Sequence, residues 1–380
     1  MKTSSTKSAA EFLSDLVRIP SNSAVSNRPL IDYATAAMHS AGWSTRALPY
    51  RDLAGAEKIN LIAAPPGQDP ATRNIGLVFV CHTDTVPFAG DWADALDPTI
   101  SDGNLHGCGA CDVKGFLACL LAAISQVPSK AFPDGLRVVL TADEEIGCVG
   151  ASHLFAQDAL RPRRMVIGEP TLLHPARAGK GYCLAEVMVC GKEAHSAHPQ
   201  QGVSAIYHAA GLIAAIEDLA GQLAGQTHSF FDPPFTTINI GTIEGGSAKN
   251  IVPGVCRFQL EWRPIPGQPP NAVLESVEQI IERLRAADTT FRAEIKPLRQ
   301  QPGFETASDA PLVQSLETLT GRKATSIPFG SEASIFAPLT QEIVVIGPGD
   351  MRTAHSRREC VPLAQLDEAA ACILSLMGAS

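Results

Sequence analysis

One apolar run, Ile75-Gly76-Leu77-Val78-Phe79-Val80-Cys81, ends in His82, Thr83 and Asp84, which places an imidazole and a carboxylate two residues apart. A second carboxylate, Asp112, stands just before an apolar helical run at 117–124. Two further apolar runs end in acids: 136–140 leads into Asp143-Glu144-Glu145, and Met165-Val166-Ile167 leads into Gly168-Glu169. A late histidine, His355, lies in the loop after Glu342-Ile343-Val344-Val345-Ile346. Imidazole nitrogen and carboxylate oxygen are ligands for a divalent cation such as zinc, at roughly 2.0–2.2 Å. Two such cations at about 3.5–4 Å need a bridging carboxylate and further protein ligands on each side. His82, Asp112, Glu145, Glu169 and His355 supply that complement.

Two neighbours of these ligands have chemistry of their own. Asp84 shares a face of an extended segment with His82, so it is placed to accept the other imidazole N–H. Glu144 and Glu145 are adjacent on a turn and do not easily reach one metal together. One can coordinate while its neighbour stays free to take a proton from water. A lone buried histidine or a lone Glu-Glu pair is more often structural. The conjunction of three strand ends with a late histidine is what points to a site.

The elements that position these groups read as α/β. Helical spacing covers 8–17 and 29–41, a strand covers 60–64, and the 75–81 run has the length and β-branched content of a buried strand. In an open α/β sheet, ligands sit at the C-terminal ends of the strands, where His82, the Glu pair and Glu169 fall. After residue 180 the grammar changes to strand, helix, strand, strand, helix and strand, the order of a small α+β domain inserted into the first. Regular α/β alternation resumes from 303, with a helix near 311–319 and a last helix at 363–377. The expected organisation is a mixed-sheet catalytic domain sandwiched by helices, in two parts at 1–180 and 297–380, with an inserted domain at 181–296.

At 380 residues two domains are the prior expectation, and 45% hydrophobic with 18% charged residues describes a globular protein. A net charge of -9 argues against non-specific binding to nucleic acid or an anionic membrane. No signal-peptide core and no 18-residue apolar stretch occurs, which makes a cytoplasmic protein the simplest expectation. The ten cysteines are dispersed and many sit in apolar runs, as reduced core thiols do. Cys108-x-x-Cys111 mimics a thiol metal or redox motif, beside a ligand set that is already complete.

Taken together, Cys81-His82-Thr83-Asp84-Thr85-Val86-Pro87, Gly109-Ala110-Cys111-Asp112-Val113-Lys114-Gly115, Asp143-Glu144-Glu145, Gly168-Glu169-Pro170-Thr171, Ala194-His195-Ser196, Asn250-Ile251-Val252-Pro253 and Ala354-His355 resemble the M20 family of co-catalytic metallohydrolases. Within it, the chain looks most like the acetylornithine deacetylases. The resemblance implies that His82 and Glu169 hold one metal, Glu145 and His355 the other, and that Asp112 bridges. Zinc is expected, with cobalt or manganese as alternatives. It further implies Glu144 as general base, Asp84 as the residue orienting His82, and the insertion as a lid and dimerisation domain of a homodimer. His195 matches a lid histidine that stabilises the oxyanion in the partner subunit's site. Asn250 and Arg263 match positions that hold substrate carboxylate, with Lys180 and Ser331 as further candidates.

The implied reaction is hydrolysis of N2-acetyl-L-ornithine to ornithine and acetate, a step of arginine biosynthesis. Glu332 or Glu359 could meet the ornithine ammonium. N-acetylcitrulline, succinyl-diaminopimelate and dipeptides remain alternative substrates, and a non-catalytic amino-acid-binding protein is the rival of a different class. Cys81, Cys108 and the Arg357-Arg358 pair depart from the family pattern, the last in the region of the substrate side-chain pocket.

Overall fold

The computed structural model describes residues 6–88, 92–127 and 132–378. Residues 89–91, part of the loop between the first two candidate ligands, lie outside that set. The chain divides into two compact units. The first comprises Met1–Ala178, Glu305–Thr325 and Ser331–Ser380; the second comprises Gly179–Phe304 and Ser326–Gly330.

The first unit is built on a mixed sheet. Six of its strands matter for the site: β1 (Ser44–Arg51), β2 (Glu57–Ala64), β3 (Asn74–His82), β4 (Leu136–Thr141), β5 (Arg161–Ile167) and β6 (Glu342–Val345). They lie in the spatial order β1-β2-β4-β3-β5-β6. The pairings β1/β2 and β2/β4 are antiparallel, whereas β4, β3, β5 and β6 run parallel to one another. A parallel sheet is covered on both faces, which is why β3 and β4 read as near-continuous apolar runs and are buried along most of their length. Helix Lys114–Gln126 is buried from Lys114 to Ile124 and packs against helices Ala9–Val17 and Leu363–Leu376. The shared core includes Phe12, Leu16, Phe79, Phe116, Leu120 and Leu366. Ser8 and Glu11 form a reciprocal capping box that starts the first helix where its apolar spacing begins.

Among the elements unread in the sequence are β1 and the helix Val149–Ala156. Strand β1 carries Pro49 and alternates exposed with half-buried residues, because it forms the edge of the sheet and pairs only with β2. Helix Val149–Ala156 is eight residues long and rich in small side chains, too short to show a clear helical period.

The second unit has four antiparallel strands in the order Thr237–Gly245, Val255–Arg263, Tyr182–Cys190, Arg292–Gln301. Tyr182–Cys190 alternates strictly between buried and half-buried residues, the mark of a sheet covered on one face. Helices Ala205–Leu223 and Ala272–Ala287 supply the cover, with Val187, Phe258, Trp262, Leu212 and Val277 in the core. Strand Arg292–Gln301 stays paired with Tyr182–Cys190 past a register shift between Pro297 and Arg299, and this unit runs to Phe304, beyond residue 296. Among the described residues no helix is long and apolar enough to cross a membrane.

Candidate metal centre

The four parallel strands β4, β3, β5 and β6 are neighbours, so the loops at their C-terminal ends meet. His82 is the last residue of β3, Glu144 and Glu145 follow β4, Glu169 follows β5, and His355 lies in the loop after β6. Asp112 arrives from the loop ahead of helix Lys114–Gln126. Several of these loops adopt a left-handed backbone at residues other than glycine: Asp143 (φ +58°), Cys148 (φ +57°) and His355 (φ +56°). Such strain gathers where a loop is held in one shape for function.

Asp112 stands at the centre. Its Oδ1 lies 3.1 Å from His82 Nε2, and its Oδ2 lies 3.1 Å from His355 Nε2. His355 Nε2 also lies 3.1 Å from Glu145 Oε1. His82, Asp112 and Glu169 form one group whose ligand atoms all fall within 4.8 Å of one another, and Asp112, Glu145 and His355 form a second. Each group thus offers one imidazole and two carboxylates, with Asp112 common to both. That donor set fits a pair of borderline divalent cations sharing one carboxylate.

The electrostatics agree with that fit. Burial, together with the Asp112 charge, holds the Glu169 carboxyl well above its usual range, and burial raises Glu145 as well. Burial also opposes ionisation of Asp112, but hydrogen bonds from His355 and His82 outweigh it and hold that carboxyl low. The bonds to Asp112 and Glu145 push His355 up to about 10. Burial disfavours a charged His82, yet its bonds to carboxylates raise it well above the ordinary imidazole value. These shifts mark a cluster of acids that calls for positive charge, which bound cations would supply while the imidazoles stay neutral.

Glu144 belongs to neither group. Burial, with the nearby carboxylates, pushes it up to about 7, and the Cys148 thiol donates to its Oε1 at 3.2 Å. Asp84 is buried beside His82, but the closer acceptor of His82 Nδ1 is the backbone carbonyl of Asp84, at 3.0 Å, against 3.7 Å to its carboxylate. The Asp84 carboxylate takes the N–H groups of Glu144 and Glu145, at 3.0 and 3.2 Å, and the Ser23 hydroxyl at 2.8 Å.

Glu359 was offered above as a contact for a substrate ammonium, and the structure corrects this. Its Oε1 accepts the backbone N–H groups of Cys111 and Asp112, each at 3.0 Å, so it shapes the loop that presents Asp112. Glu332 is also wholly buried, at the start of the short helix Ala333–Phe336, and is no surface for a substrate side chain. No periodicity marks such roles; the five-residue span from His355 to Glu359 is the only hint in the sequence. Cys108 and Cys111 are buried free thiols, and burial pushes Cys108 up to about 11 and Cys111 well above the usual thiol range, which disfavours the thiolate that metal binding or redox exchange needs.

The remaining candidates divide between the units. Ser331 is buried in the first unit, and its hydroxyl accepts the N–H of Ala333 at 3.3 Å. His195, Asn250, Arg263 and Lys180 belong to the second unit. There, His195 and Asn250 are exposed on adjoining segments: His195 pairs with Ile251, and the Ser196 N–H donates to the Asn250 carbonyl. Arg263 donates to Glu261 at 2.8 Å and to the Pro328 carbonyl at 3.1 Å, and lies over the Tyr182 ring. Lys180 is buried with its ammonium on the Phe235 carbonyl at 2.7 Å.

Residues 78–379 match the model of peptidase family M20/M25/M40. The chain is 45% identical to an acetylornithine deacetylase from Myxococcus xanthus over 355 residues, 93% of this chain and 92% of that protein. It is 36% identical to an acetylornithine deacetylase from Edwardsiella ictaluri, over 75% of each. Among solved structures, a tripeptidase from Staphylococcus aureus superposes with a TM-score of 0.75 at 23% identity, over 97% of this chain and 96% of that one. A dinuclear metal-binding peptidase of the M20 family from Bacillus subtilis superposes with a TM-score of 0.66 at 13% identity, over 97% and 96%.

Proposed function

Because this chain belongs to peptidase family M20/M25/M40, we propose that its paired metal groups serve hydrolysis of the acetyl amide of N2-acetyl-L-ornithine, releasing ornithine and acetate for arginine biosynthesis. The observation that carries this reading is Asp112, whose two oxygens each face one histidine of a separate group, beside a carboxyl, Glu144, that neither group uses. His82 and Glu169 would hold one divalent cation, Glu145 and His355 the other, and Asp112 both; zinc, cobalt and manganese all suit these donors. When bound, the pair supplies Lewis acidity toward the amide carbonyl and a nucleophile at neutral pH.

The chain's own residues handle orientation and the proton. Glu144, raised to about 7, takes the proton from the attacking water and passes it to the leaving nitrogen. His195 donates to the oxyanion, in the site of the partner protomer of a homodimer, and Asn250 and Arg263, with Lys180 and Ser331, hold the substrate carboxylate. The dimer forms through the second unit, a reading supported by the exposed apolar side chains Ile206, Tyr207, Ile243 and Val255 there. A small charged substrate and the acidic chain suit a cytoplasmic enzyme.

Protein reconstituted with zinc, cobalt or manganese should be assayed on acetylornithine, acetylcitrulline, acetylmethionine, succinyl-diaminopimelate and a dipeptide. The largest kcat/KM is expected for acetylornithine. A preference of about tenfold or more for another member would move the assignment to that substrate.

A further inference from the structure

Lys58, on β2, is 1% exposed and uses its whole ammonium. It donates to the backbone carbonyls of Ser23 (2.7 Å) and Val25 (2.9 Å) and to Asp143 Oδ1 (2.7 Å), with Asp52 3.7 Å away. The second oxygen of Asp143 accepts the Tyr50 hydroxyl at 2.9 Å. Asp143 immediately precedes Glu144 and sits at φ +58°, a conformation that tolerates Asp or Asn but needs to be held. On the other side, Ser23, whose carbonyl Lys58 grips, donates its hydroxyl to the Asp84 carboxylate, and Asp84 receives the N–H groups of Glu144 and Glu145. The contacts close a ring: Lys58 to Asp143, along the chain to Glu144, through Asp84 to Ser23, and back to Lys58.

We propose that Lys58 is a positioning residue for the reaction, fixing through this ring the direction in which Glu144 presents its carboxylate; the inference rests on the reading of Glu144 as the proton-moving group. A buried ion pair adds little to stability compared with apolar side chains of similar volume, because the desolvation of both charges offsets their attraction. What Lys58 supplies that an apolar residue lacks is direction. One ammonium holds two carbonyls of the Ser23–Val25 segment and the Asp143 side chain at once, and both lead to the Glu144 turn, Asp143 along the chain and Ser23 through Asp84. A displacement of about 1 Å in such a group costs on the order of a hundredfold in rate.

The test is the double variant Lys58→Met/Asp143→Asn, which removes both charges and keeps a side chain suited to the left-handed backbone. Melting temperature, metal content, KM and kcat are measured on whichever acylated amino acid the wild type hydrolyses. The expected result is wild-type metal content, KM and thermal stability, with kcat lowered about tenfold or more. A folded, fully metallated double variant whose kcat stays within about twofold of wild type would overturn the proposal. If the double variant does not fold, Ser23→Ala deletes one hydroxyl from the opposite side of the ring. There kcat should fall about threefold or more at unchanged KM, and a wild-type kcat overturns the proposal equally. A wild type inactive on every acylated amino acid, or a fully active Glu144→Gln, instead marks failure of the functional reading and not of the ring.

Discussion

Asp84 accepts the backbone N–H of Glu144 at 3.0 Å through Oδ1, so the loop after β3 directly sets the turn after β4. The same residue takes the Glu145 N–H through Oδ2 and the His82 ring through its carbonyl. One short segment therefore couples a candidate ligand from each metal group to the candidate base. Replacing Asp84 with Asn keeps its size and weakens these charge-assisted bonds. Activity should fall about 10–100-fold, with weaker metal retention during dialysis. Unchanged kinetics and metal content would show that the carboxylate charge does no work there.

Glu144→Gln removes the group assigned to proton transfer and leaves both metal groups intact. Turnover should fall about 10²–10⁴-fold, with metal content by elemental analysis equal to wild type. Near-wild-type turnover excludes Glu144 as the base.

Asp112→Ala removes the one carboxylate that both groups share. It should lower metal content at both positions together, whereas Glu169→Ala or His355→Ala should deplete one position more than the other. Chelation of the wild type should abolish activity and re-addition of zinc, cobalt or manganese should restore it. A variant lacking Asp112 that keeps two cations per chain contradicts the bridging role.

His195→Ala should slow kcat by about 10²–10³ while the melting temperature stays the same, as for loss of an oxyanion donor. Mixing His195→Ala with Glu144→Gln under subunit exchange tests where His195 acts. If it serves the partner protomer, the heterodimer regains one complete site and activity returns. Persistent inactivity, with heterodimers demonstrated, places His195 in the site of its own chain.

Glu332 makes stability depend on pH. Its side chain is wholly buried, and burial holds the carboxyl up to about 8, against 4.5 for the exposed group. Below 4.5 it is protonated in both folded and unfolded chains. Between 4.5 and about 8 the unfolded chain releases the proton and the folded chain keeps it, so this group makes stability fall as pH rises. In chelated protein, the melting temperature of Glu332→Gln relative to wild type should therefore climb from pH 5 to pH 8. A difference independent of pH would remove Glu332 as its source.

Much of the site was legible because metal ligation restricts residue type. Each of His82, Glu145 and Glu169 stands at or just beyond the end of an apolar run, a position that strand geometry turns into a shared edge. The interior strands were legible for a related reason: a parallel strand buried on both faces needs an unbroken apolar run, which β3 and β4 have. Edge strand β1 has no such run, since only one side of it pairs and much of it meets solvent. Glu359, Lys58 and Ser23 were missed as supports because their partners are backbone groups 33 to 248 residues away or side chains equally distant along the chain.

By itself the sequence determined which side chains are available for metal chemistry, the strand ends that carry them, and the inserted α+β unit, because residue type and hydrophobic period are local properties. Only the tertiary structure decided that Asp112 faces one histidine with each oxygen, that the Asp84 carboxylate holds the Glu144 turn while its backbone carbonyl holds the His82 ring, and that Glu359 and Lys58 serve the backbone. Those outcomes depend on strand order: β4, β3, β5 and β6 lie side by side although the chain visits them far apart. Hydrogen-bond direction between loops so distant in sequence has no local signature, and it is settled only when the sheet closes and each buried donor finds its acceptor.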